Sequence, residues 1–118
     1  MTDEQFRERI EKNLARALQL LNQGKSAKAR VCARMAAGEA VAWYVEKNHR
    51  SGWGHDLISL LVHLKTDSSF PSELREAANR LSSRITPEFT YPADNDPLRD
   101  AQTIVDYFQK LLEHGLSF

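Results

Sequence analysis

The segment Ser26–Asn48 limits what this chain can fold into more than any other, because it reads as one long helix carrying Ala27, Ala29, Ala33, Ala36, Ala37, Gly38, Ala40 and Ala42. Small residues fall on every face of that helix. With so little side-chain bulk, neighbouring backbones can approach closely, which suits the central rod of a helical bundle better than an exposed helix standing alone.

The 118 residues, 42% hydrophobic and 27% charged, match one ordinary globular domain, expected to span residues 2–115. No run approaches the roughly 18 apolar residues needed to span a bilayer. Residues 1–6 are polar and charged where a secretory segment would be apolar, so the expected location is the cytoplasm, with no membrane association. Cys32 is the single cysteine, which excludes an intrachain disulfide and a thiolate metal cluster and leaves it the role of a small buried hydrophobe. Net charge is zero but unevenly spread. Residues 1–50 hold ten Lys/Arg against six Asp/Glu, and residues 51–118 hold six against ten. Either the two halves pack with complementary fields, or a basic face awaits a polyanion and an acidic face a protein partner.

Thr2 or Asp3 caps a first helix that runs to about Leu21, with Asp3 and Glu4 at the positive end of its dipole. Phe6, Ile10, Leu14, Ala17, Leu18 and Leu21 recur at spacings of three and four and form its apolar stripe. Gly24 is placed to end this helix and Ser26 to cap the next, on which Val31 and Met35 share a line. Residues 48–54 form a glycine-bearing connection, after which Asp56 caps a short third helix. Leu57, Ile58, Leu60, Leu61, Val62 and Leu64 leave that helix little polar surface, which predicts deep burial. Pro71 and Ser72 open a fourth, with Leu74, Ala77, Ala78, Leu81 and Ile85 inward and Pro87 closing it. Residues 88–95, with Phe89, Tyr91 and Pro92, cross over the bundle. Asp96 and Pro97 then start a last helix carrying Leu98, Ala101, Ile104, Val105, Phe108, Leu111 and Leu112, which Gly115 ends. With no repeat and no strand signal, the expected fold is all-α: an up-and-down bundle of about five helices around a four-helix-bundle-like core.

In this order the landmarks resemble the HEPN superfamily, named for higher eukaryotes and prokaryotes nucleotide-binding. The likeness rests on Ala36-Ala37-Gly38-Glu39-Ala40, on His55-Asp56-Leu57, on Tyr91-Pro92 and on the amphipathic last helix. It covers nearly the whole chain. The chain departs from the pattern at Thr90 and Trp43, where such sequences carry Arg and Lys. The resemblance implies a bundle that pairs as a homodimer, often beside a small nucleotidyltransferase in toxin–antitoxin or defence systems. Catalytic members are metal-independent ribonucleases marked by an Arg followed four to six residues later by a His. Arg50 and His55 meet that spacing, imidazole being suited to move a proton and guanidinium to hold a phosphate. The spacer is glycine-rich and lies between the second and third helices rather than later in the bundle. Arg50 near a helix end and His55 at a helix start therefore also serve as plain structural residues.

Lys28, Arg30 and Arg34, with Lys25, crowd the start of the second helix and are the candidate phosphate or nucleic-acid contacts, a solvated basic face being the alternative. Trp43, Tyr44 and Trp53 are core residues or the apolar centre of a dimer interface. His49, His63 and His114 show no metal spacing, and Asp94, Asp96 and Asp100 are better placed as helix caps than as a cation loop, so no metal or cofactor is expected. The leading reading is a homodimeric HEPN-like interaction module without catalysis of its own, binding a protein partner, a nucleotide or RNA. The alternatives are a ribonuclease toxin using Arg50 and His55, and a helical scaffold whose small-residue helix recognises another helical protein.

Overall fold

In the computed structural model, which describes residues 1–48, 51–54, 56–83 and 96–113, five α-helices follow one another. They are α1 (Asp3–Asn22), α2 (Ser26–Asn48), α3 (Leu57–Thr66), α4 (Ser72–Ser82) and α5 (Pro97–Glu113), with a single 3-10 turn at Ser51–Trp53. The described residues are 86% helical and include no strand. None of these helices is long and apolar enough to cross a membrane.

Side-chain oxygens set most of the helix starts. Thr2 accepts from the Gln5 backbone N–H while the Gln5 side chain accepts from the Thr2 N–H, a reciprocal cap on α1. Asp56 accepts from both the backbone N–H and the hydroxyl of Ser59, at 2.8 and 2.7 Å, and these bonds hold its carboxyl below the usual carboxylate range. Asp96 accepts from the Arg99 N–H at 2.7 Å ahead of Pro97. Between α1 and α2, Gly24 takes φ +75°, a left-handed conformation that glycine reaches without the Cβ penalty.

Helix α2 touches every other helix: α1 along the most extensive seam, then α5, α3 and α4. Its Ala29, Ala33, Ala36, Ala37, Gly38, Ala40 and Val41 are all buried. The closest approach is at Gly38. A Cβ placed there would lie 2.6 Å from Leu57 Cβ and 3.0 Å from Leu57 Cδ2, so α3 rests where any side chain on residue 38 would stand. Around this rod, Ile10, Leu60, Leu61, Leu64, Leu81, Ile104, Val105 and Phe108 close the core.

Two expectations need correction. Leu18 is 51% exposed, and Leu20 takes the inner position at the end of the α1 stripe. Helix α3 is not buried all round, since Ile58 and Val62, one turn apart, face solvent at 38% and 37% exposure. The line of Val31 and Met35 on α2 also faces outward, at 43% and 40%. Ile85, Pro87, residues 88–95 and Gly115 lie outside the described residues.

Candidate functional site

The basic start of α2 divides into two kinds of residue. Lys25 and Lys28 are exposed. Arg30 is only 4% exposed, and its Nη2 donates to the carbonyl oxygens of Arg80 at 3.0 Å and Ser83 at 2.7 Å. Arg34 Nε donates to the Leu81 carbonyl at 2.9 Å, and burial pushes its guanidinium below the usual arginine range. Both cations thus satisfy the terminal carbonyls of α4, where the negative end of its dipole favours positive charge. Of the candidate phosphate contacts Lys28, Arg30 and Arg34, the lysine is solvated and the two arginines clasp the end of α4. The same corner holds a buried ion pair. Arg80 donates through Nε and Nη2 to both oxygens of Asp100, at 2.8 and 2.9 Å, joining α4 to α5.

The aromatic candidates lie inside one chain. Trp43 is 1% exposed, stacks on Phe6 at 6.1 Å and donates its indole N–H to Asp3 at 3.0 Å, while Arg7 sits over its face at 5.5 Å. The Trp43 and Lys47 bonds to Asp3 hold that carboxyl below its ordinary range. Tyr44 and Trp53, at 7% and 8%, pack with Phe70, and Phe108 completes the cluster against Tyr44. Their rings being enclosed by their own fold, the expected interface of Trp43, Tyr44 and Trp53 is corrected to core. The large apolar side chains left exposed among the described residues are Met1, Leu18 and those of the α2 and α3 lines.

Arg50 and His55 lie outside the described residues. Their described neighbours are tightly held: Trp53 is wedged into the core between them and stacks at 5.6 Å on His63 of α3, and Asp56 caps α3.

A cavity of about 490 Å3 opens between α1, α2 and the start of α3, floored by Phe6, Val45, Leu57 and Leu60. Composition gave no sign of it. Glu39 projects into it from the middle of α2 with its side chain 13% exposed, and the nearest cation is Arg9 Nη1 at 3.7 Å. Glu46 stands at the rim, bonded to the Met1 amino group at 3.2 Å. Among the described residues, no group of three or more His, Cys, Asp or Glu converges as a metal site.

Compared with known proteins, the chain matches the HEPN domain model over residues 4–116, nearly its whole length. No curated protein and no solved structure shows significant similarity to it. The range 4–116 takes in α1 to α5, and the chain belongs to the HEPN domain family.

Proposed function

We propose that this HEPN domain is an interaction module of the cytoplasm, without catalysis of its own. It pairs as a homodimer and binds a protein partner, of which a small nucleotidyltransferase in a toxin–antitoxin or defence setting is one kind, or a nucleotide or RNA ligand. The observation that carries the reading is the pair of outward apolar lines, Val31 with Met35 on α2 and Ile58 with Val62 on α3. Met35 lies one turn before Gly38 and Ile58 directly follows Leu57, so these two flank the point where the helix backbones meet. Apolar side chains grouped on adjoining helices favour burial against another protein surface. The arginines nearest this surface, Arg30 and Arg34, are bonded to α4, which weighs against a phosphate site built from them.

Light scattering after size exclusion tests the pairing. The expected mass is twice the 13.5 kDa of the chain, falling to 13.5 kDa in a Met35→Glu, Ile58→Glu variant of unchanged helix content. A wild-type chain that runs as a monomer at ~100 μM, a concentration at which even weak dimers form, rejects it.

The second reading, a metal-independent ribonuclease using Arg50 and His55, is favoured by the fixed frame around that connection. Trp53 anchors it in the core and the Asp56 cap fixes where α3 begins. RNA cleavage in the presence of a chelator, abolished by Arg50→Ala and by His55→Ala singly, would establish that reading over the first.

A further inference from the structure

We propose that the cavity between α1, α2 and α3 is a binding site for a ligand presenting a planar pair of N–H donors on an apolar body, with Glu39 as the receptor of that pair. The volume of about 490 Å3 falls within the roughly 300–1,000 Å3 typical of small-molecule sites. Its floor is apolar, and Glu39 projects into it from the middle of α2, with Arg9 of α1 and Glu46 also on the lining. That carboxylate is largely sequestered, yet among the described residues no donor lies within hydrogen-bond distance of it. Arg9 Nη1 at 3.7 Å is an ion-pair neighbour beyond hydrogen-bonding range, on a side chain 57% exposed.

Helix α2 gives Glu39 no donor: its neighbours one turn away are Met35, Ala36, Ala42 and Trp43, and the Trp43 indole N–H is given to Asp3. The Glu39 oxygens stay within reach of solvent, so an incoming pair of donors replaces water there, and a planar N–H fork reaches both oxygens at once. Phe6, Val45, Leu57 and Leu60 offer such a ligand a surface for an aromatic or aliphatic body. Glu39 and Glu46 are matched along the lining by Arg9 and the Met1 amino group, and with Met1 bonded to Glu46 an anionic group on the ligand belongs beside Arg9.

Two sources share this fork: an amidine or guanidine cation, and the N1–H and 2-amino edge of guanine. Benzamidine and guanosine monophosphate serve as the fork probes, with benzamide and adenosine monophosphate as partners of similar shape that lack the fork. Binding is followed by backbone amide shifts in the full chain. We expect at least one fork probe to shift the Ala42, Gly54 and Leu57 amides saturably, its partner to bind about tenfold more weakly or worse, and Glu39→Gln to cost a similar factor. Ala42→Phe, which fills the cavity, removes binding. Benzamidine alone identifies a cation, guanosine monophosphate alone a purine edge, and both the fork itself.

The proposal is overturned if neither fork probe shifts those amides at ~10 mM, beyond the weakest useful affinity. It is equally overturned if fork and partner bind alike, or if Glu39→Gln binds as the wild type does. Should either variant fail to fold, the wild-type shift map and the paired probes still decide. Oligomeric mass and RNA cleavage do not enter these readouts, so the site stands or falls separately from the pairing and ribonuclease readings.

Discussion

Replacing Gly38 by alanine should destabilise the fold, against the ordinary rule for helices. In a helix interior open to solvent, Gly→Ala stabilises by about 1 kcal/mol, because glycine loses more backbone freedom on folding. At residue 38 the added methyl lands 2.6 Å from Leu57 Cβ, closer than such carbons are found in proteins. The obstructing atom is the first carbon of the side chain, tied to the α3 backbone, so a rotamer change cannot clear it. Helix α3 has to move off α2, carrying Leu60, Leu61 and Leu64 with it. An approach as short as 2.6 Å belongs in the upper part of the overpacking range, about 2–3 kcal/mol, and taking off the propensity gain of about 1 kcal/mol leaves a net loss of about 1–2 kcal/mol. For a domain of this size that is a fall in Tm of about 4–8 °C.

Circular dichroism during thermal and urea unfolding measures it, with Gly52→Ala as the control, since nothing lies within 4 Å of a Cβ at that position. Leu57→Ala in the Gly38→Ala background should recover only part of the loss, because the clashing Cβ remains. A Gly38→Ala protein as stable as wild type, or more so, would refute the claim that backbone contact between α2 and α3 organises the bundle.

Removing Arg80 should be costlier. Arg80→Ala takes both guanidinium donors from Asp100, a carboxylate 3% exposed, and a loss of about 3 kcal/mol is expected, read from urea unfolding. Acid should loosen the seam of α1 with α2. The Asp3 carboxyl is lowered in the folded state, so its contribution is present above the unfolded-state value and disappears as pH falls through the folded one. Stability of the wild type should therefore decline more steeply with acidification than that of Asp3→Asn, followed by Trp43 fluorescence; identical acid limbs in the two proteins would contradict it.

Helix ends were the most legible part of this chain, because the residues that make them act locally. Gly24, Asp56 and Asp96 each mark a helix end through bonds to their own neighbours in sequence, whereas Ser26, expected as a cap, is the first residue of α2 itself. The central place of α2 was legible too, since a helix of alanines has few other uses. What escaped depended on elements distant in the chain. Arg30 and Arg34 look like a basic patch until the carbonyls at the end of α4 accept their hydrogen bonds. Apolar content marks Ile58 and Val62 as core, whereas the tilt of α3 about the Leu57 contact turns them outward. Leu18 and Leu20 differ only in phase along the stripe, and the packing of α1 on α2 chooses Leu20. The cavity around Glu39 needs three helices to exist, and no spacing in the sequence announces it.

Because α2 is the one helix in contact with all the others, its backbone amides should be the slowest in the molecule to exchange with deuterium, opening only when the whole domain does. Helices α1 and α5 lean on it more than on any other, while α3 and α4 lean chiefly on one another. Fraying of α1 or α3 can then proceed as a local event, while any rearrangement of α2 is felt everywhere at once, which makes that rod the natural conduit between an event at one end of the domain and a response at the other.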